Sequence, residues 1–145
     1  MFLTENDLRE TFWENYNYSG RALRYQFECP IREGCADLLT VERYQGNIQL
    51  NAFEFKLSDV KKAILQAQAN SDFVNKSWIV IPSEKARLIQ TKYLNHLQTI
   101  KYVGVIAVEQ GGKWSMIHRP FFREDVRMCQ TVLNMLLPEG AEKSR

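Results

Sequence analysis

The feature that most constrains this chain is a four-residue apolar run, Trp78-Ile79-Val80-Ile81, stopped by Pro82. A short run of bulky and β-branched residues without polar alternation reads as a strand buried on both faces. Upstream lies a helical stripe of Val60, Ala63, Ile64 and Ala67, spanning about 58–73, with Ser58 or Asp59 placed to cap it. Before that, residues 47–57 alternate apolar and polar in the period of a strand. Strand, helix and doubly buried strand make a βαβ unit with a right-handed crossover. The fold class that follows is α/β.

The rest of the chain fits around that unit. Thr4 and Asp7 resemble a capping box with Asp in place of Glu, and Leu8, Phe12 and Tyr16 recur every four residues on one helical stripe. Ser19-Gly20 ends that helix. Segment 21–31 alternates through Leu23, Tyr25 and Phe27, and 36–44 is rich in Leu, Val and Thr; a Gln45-Gly46-Asn47 turn then leads into the third strand. A helix is predicted over 83–98, strands over 103–108 and 113–117 around Gly111-Gly112, and a last helix over 123–137. The order αβββαβαββα describes a mixed β-sheet flanked by helices. At 145 residues this is one domain, residues 1–137, with 138–145 (PEGAEKSR) read as a frayed tail.

Composition narrows the setting more than the function. Hydrophobic residues make up 45% and charged residues 25%, enough to bury a core. The net charge of +2 argues neither for nor against nucleic acid. No apolar run approaches a membrane span, and the start lacks a basic and apolar leader, so neither a membrane partner nor a signal peptide is expected. Three cysteines without a CxxC pair point to a reduced, cytoplasmic setting and argue against a structural zinc site.

The chemistry concentrates on the second and third strands. Side chains alternate faces along a strand, so Asp37, Leu39, Val41 and Arg43 share one face, as do Ile48, Leu50, Ala52, Glu54 and Lys56. If Gln45-Gly46 is a two-residue loop, Tyr44 pairs with Asn47, and stepping outward sets Asp37 opposite Glu54. Their Cβ atoms would then lie roughly 4.5–5.5 Å apart. Two facing carboxylates repel, and Lys56 supplies only part of the counter-charge; a divalent cation would supply the rest. Such a cation lowers the pKa of a bound water and offsets phosphate charge, and a neighbouring ammonium can orient that water. This is equipment for metal-assisted phosphodiester hydrolysis.

Asp37 followed by Glu54-Phe55-Lys56 on the next strand resembles the PD-(D/E)XK nuclease superfamily, with its restriction-endonuclease-like αβββαβ core. The resemblance covers about residues 4–82. It implies Asp37 and Glu54 as ligands of Mg²⁺ or Mn²⁺, Lys56 as catalytic lysine and Gln66 as a polar residue facing the site from the next helix. Some members add a glutamate from the first helix; among Glu5, Glu10 and Glu14 the choice here is Glu10. Glu28 on the first strand offers a further carboxylate. Ala36 stands where many members carry Pro. The implied activity is that of a Mg-dependent endodeoxyribonuclease acting on DNA. The alternative is a catalytically silent member of the fold that binds nucleic acid or protein. A chain this short has no room for a separate recognition domain, so substrate choice would rest on a homodimer, a partner protein or DNA structure.

The plainer reading of Asp37, Glu54 and Lys56 is a salt-bridge patch on a half-exposed hairpin. It leaves unexplained why each charged end follows a stripe of Leu, Ile, Val and Ala. A second acidic-x-Lys triplet, Asp59-Val60-Lys61, falls at a helix start and lacks the upstream partner. Lys61 and Lys62 are candidates for contact with a phosphate backbone. His96 and His118 stand alone and read as surface or half-buried residues. Arg119, Arg123 and Arg127 could form a basic strip, diluted by Glu124 and Asp125. Phe12, Trp13, Phe53, Phe55 and Trp78 read as core rather than as base-stacking platforms.

Overall fold

The computed structural model describes residues 1–137; the tail expected over 138–145 lies outside the described residues. The elements run α1 (Glu5–Tyr16), β1 (Ala22–Arg32), β2 (Gly34–Tyr44), β3 (Asn47–Phe55), α2 (Val60–Asn70), β4 (Lys76–Pro82), α3 (Ala86–Leu88), α4 (Leu94–Thr99), β5 (Val103–Val108), β6 (Trp114–His118) and α5 (Gln130–Leu136). The strands form one six-stranded sheet in chain order. β2 runs antiparallel to both β1 and β3, β3, β4 and β5 are parallel, and β6 returns antiparallel to β5. The domain is therefore α/β with a mixed sheet flanked by helices.

The β2–β3 hairpin carries the register expected of it. Gln45 and Gly46 both adopt positive φ, 51° and 83°, the two-residue turn whose twist matches antiparallel strands. Pairing then runs unbroken from Tyr44↔Asn47 to Leu38↔Phe53. With no bulge to flip the alternation, Leu38, Phe53 and Phe55 face α1, where Leu8, Phe12 and Tyr16 pack on them. Leu39, Val41, Leu50 and Ala52 face the other side, beneath Val132 and Met135 of α5. β4 is buried on both faces: Val80 joins the α1 layer, while Ile79 and Ile81 meet Val60, Ala63, Ile64 and Ala67 of α2. Phe12, Phe53, Phe55 and Trp78 are core residues, as their spacing predicts. Thr4 Oγ1 accepts from the Asp7 amide at 3.0 Å, so α1 starts at its expected cap.

One expected helix is present with mixed geometry, and another is much shorter than its spacing predicts. The helix expected over 83–98 forms as one continuous helical stretch, but a 3₁₀ turn at Ser83–Lys85 and a π-helical turn at Ile89–Tyr93 bracket the three residues of α3 before α4 begins. The Thr91 hydroxyl donates to the Arg87 carbonyl at 2.9 Å, a bond back to the preceding turn that bends helices. The helix predicted over 123–137 shrinks to Gln130–Leu136. The backbone of the preceding segment is spent elsewhere: the Arg123 amide donates to the Asn75 carbonyl at 2.9 Å and the Arg127 amide to the Asp72 carbonyl at 2.7 Å. Arg123 also stacks over Tyr102 and pairs with Asp72. These bonds pin 123–127 as a strap across the α2–β4 loop, and an amide committed there cannot close a helical turn. Among the described residues no helix is long and apolar enough to cross a membrane.

Candidate active site

Asp37 and Glu54 lie side by side at the end of the β2–β3 hairpin far from its turn. They are tied together through the backbone: the Asp37 amide donates to Glu54 Oε2 at 3.3 Å, and the Phe55 amide donates to Asp37 Oδ2 at 2.9 Å. Each carboxylate is thus oriented by the other's strand. Asp37 lines a cavity of about 120 Å³ together with Glu5, Asn6, Arg9, Glu28 and Phe55. That volume corresponds to roughly four waters at ~30 Å³ each, room for a partly hydrated ion.

Glu54 is the unusual member. Its side chain is 1% exposed. Oε2 accepts from Asn70 Nδ2 at 2.8 Å and lies 3.7 Å from Arg32 Nη2, but Oε1 is buried with no hydrogen-bond partner. Burial, reinforced by the Asp37 charge, pushes the Glu54 carboxyl up to about 7; Asn70, the Asp37 amide and Arg32 pull the other way. Arg32 is itself fixed, donating from Nε to Asn70 Oδ1 at 2.6 Å and from Nη2 to the Cys35 carbonyl at 3.0 Å.

Lys56 departs from the strand alternation. β3 ends at Phe55, and the Lys56 amide bonds the Val80 carbonyl. Released from the pleat, its ammonium turns to the α1 side and lies 3.8 Å from Glu5 Oε1, instead of sharing the face of Glu54. Its partner Glu5 lines the same cavity as Asp37, although Lys56 itself does not.

The other candidates are spread more widely. Glu28 lines the cavity with Asp37 and is held by Arg9 at 3.3 Å, on a backbone of φ 49° that non-glycine residues seldom adopt. Glu10 is exposed and accepts from Asn6 at 3.1 Å, outside the cavity; on α1 it is Glu5 that meets the lysine. Gln66 is half-buried one turn before Asn70, its Oε1 enclosed and without a partner. Lys61 and Lys62 are exposed on the first turn of α2, and Lys61 borders a separate groove of about 640 Å³ with Lys92, Tyr93 and His96.

Asn70 and Arg32 escape the sequence reading. Asn70 has a legible signal: it continues the buried stripe of α2 after Ala67, and a polar residue on an apolar stripe needs a buried partner. Arg32 has none, because only the sheet brings it to Asn70, 38 positions along the chain.

Asp37 and Glu54 are the side chains that could hold a hard divalent cation. Both offer carboxylate oxygens, and Glu54 Oε1 is a buried acceptor that nothing in the described structure satisfies. Among the described residues no three His, Cys, Asp or Glu side chains are grouped to hold a metal. Mg²⁺ is commonly held by one or two carboxylates while keeping several waters. No protein-family model matches the chain, and no curated protein or solved structure is significantly similar to it.

Proposed function

We propose that this chain is a metal-dependent nuclease that hydrolyses DNA phosphodiester bonds, built on a restriction-endonuclease-like core. The observation that carries the reading is Glu54: a buried carboxylate held beside Asp37, with one oxygen left unpartnered. A structural ion pair would satisfy both oxygens, because an unmatched buried acceptor is costly. A perturbed buried carboxylate beside a second acid that lines a cavity, with a lysine paired to another residue of that cavity, is the usual mark of a reactive site. The element order α1-β1-β2-β3-α2-β4, with three antiparallel strands followed by a parallel one, supports the core assignment.

Asp37 and Glu54 would hold Mg²⁺ or Mn²⁺, which when bound supplies a water of lowered pKa and offsets charge on the phosphate. The chain's own residues do the rest. The Phe55 amide and Asn70 lock the two carboxylates in place, so little reorganisation is needed when substrate arrives. The Lys56 ammonium exchanges Glu5 for a phosphate oxygen and stabilises the charge that develops as water attacks phosphorus in line. Lys61 and Lys62 offer positive charge to the neighbouring backbone phosphates.

A silent DNA-binding relative is the second reading, favoured by Arg32, which already places a cation beside Glu54. Cleavage of plasmid and branched DNA in Mn²⁺ decides between them. The nuclease reading expects cleavage that chelation stops and that Lys56→Ala abolishes while circular dichroism stays native. DNA binding without cleavage in Mg²⁺ or Mn²⁺ establishes the second reading, and neither activity refutes both.

A further inference from the structure

A second cavity, of about 260 Å³, lies at the other end of the sheet on the α1 face, against Tyr16. A directional chain of hydrogen bonds leads to it. Trp78 Nε1 donates to Asn51 Oδ1 at 2.9 Å, and Asn51 Nδ2 donates to Gln49 Oε1 at 3.0 Å. An indole nitrogen can only donate, so Asn51 must meet it with oxygen, must donate onward, and must find the oxygen of Gln49. Chemistry therefore fixes both amide orientations. The chain ends on Gln49 Nε2, a buried donor with no partner, on a residue that lines the cavity and is 7% exposed.

The charge around this donor is one-sided. Arg21, Arg43, Lys76 and Arg119 line the cavity, with Glu42 as the one carboxylate among the lining residues. Glu42 is already engaged, accepting from Tyr16 Oη at 2.7 Å and Thr40 Oγ1 at 2.6 Å. Burial, and then the charge of Arg119, hold the Lys76 ammonium below its ordinary value, while the Glu42 charge pulls the other way.

We infer that this cavity binds a small organic phosphate, with its phosphate among Arg43, Lys76 and Arg119, an acceptor atom on Gln49 Nε2, and its organic body against Tyr44 and Met116. A phosphomonoester carries a charge near −2, which answers this cationic excess better than a single carboxylate. The volume, roughly nine waters at ~30 Å³ each, exceeds what a bare phosphate fills. The site is separate from the acidic pair and does not depend on the nuclease reading.

Calorimetric titration of the full chain with AMP, adenosine and inorganic phosphate tests it. AMP binds, phosphate binds at least tenfold more weakly, and adenosine gives no heat. Arg43→Ala and Arg119→Ala, both at exposed positions, each weaken AMP about tenfold or more, the scale of a charge-assisted hydrogen bond. Gln49→Leu, checked by thermal unfolding for a retained fold, weakens it as well. Asp37→Asn and Lys56→Ala leave AMP binding unchanged. The inference is overturned if AMP gives no heat at millimolar concentration, if phosphate binds as tightly as AMP, or if the arginine substitutions have no effect. Loss of AMP binding in Asp37→Asn or Lys56→Ala with the fold retained also overturns it, since the phosphate would then sit in the acidic cavity.

Discussion

Replacing Glu54 by Gln should stabilise the fold at neutral pH and remove its response to metal. Gln keeps the shape and an acceptor oxygen for Asn70 and the Asp37 amide, and it removes a buried charge beside Asp37. The native carboxyl titrates at about 7 against an ordinary 4.5, so the folded state binds this proton more tightly than the unfolded chain does. The sign follows from linkage: the contribution is fully present below about pH 4.5 and is lost as pH rises through about 7. At ~1.4 kcal/mol per pH unit the interval is worth about 3 kcal/mol. Urea unfolding of parent and Glu54→Gln from pH 4 to 8 reads it directly. The two should agree near pH 4, and the variant should lead by about 3 kcal/mol at pH 8, or roughly 6–12 °C in Tm for a domain of this size. Glu42, whose carboxyl is also raised by burial, leaves a residual slope in both proteins, so the difference between them isolates Glu54. Mn²⁺ should stabilise the parent, by about 2.7 kcal/mol at a hundredfold excess over its Kd, and leave the variant unmoved. A variant less stable than the parent at pH 8 would refute the reasoning. It would mean that Arg32 and Asn70 more than offset the burial of the charge and that Glu54 is a structural ion.

Other substitutions probe the supports of the site and of the sheet. Asn70→Ala takes the 2.8 Å donor from Glu54; it should cost about 1–3 kcal/mol in urea and weaken Mn²⁺ binding roughly 10–100-fold by titration. Phe12, fully buried between α1 and the sheet, should cost about 3–5 kcal/mol as Ala, and an unchanged denaturation midpoint would contradict its place in the core. Gly104→Ala brings a methyl within 2.8 Å of the His118 carbonyl and 2.9 Å of Trp78. A loss of about 1–3 kcal/mol from overpacking is expected, and thermal scanning checks it.

Local rules were sufficient wherever a residue's neighbours along the chain determine its surroundings. The hairpin is the clearest case. A two-residue turn and an unbroken period of two place Asp37 beside Glu54 without any knowledge of the helices. The same rules failed at Lys56, because alternation holds only while the strand does, and β3 stops one residue earlier. They chose the wrong interval for the last helix, because amphipathic spacing cannot register amides drawn to Asn75 and Asp72 some 50 residues away.

From the amino-acid order alone came the α/β class, the doubly buried β4 strand, the cap of α1 and the hairpin register. All of these rest on short-range periodicity and steric preference. Tertiary structure decided which glutamate of α1 meets Lys56, how Arg32 and Asn70 converge on Glu54, and where the chain of amides from Trp78 ends. Those outcomes depend on how a helix crosses a sheet and on which strands become neighbours. That is a matter of packing between distant segments, to which no local pattern in the chain is sensitive.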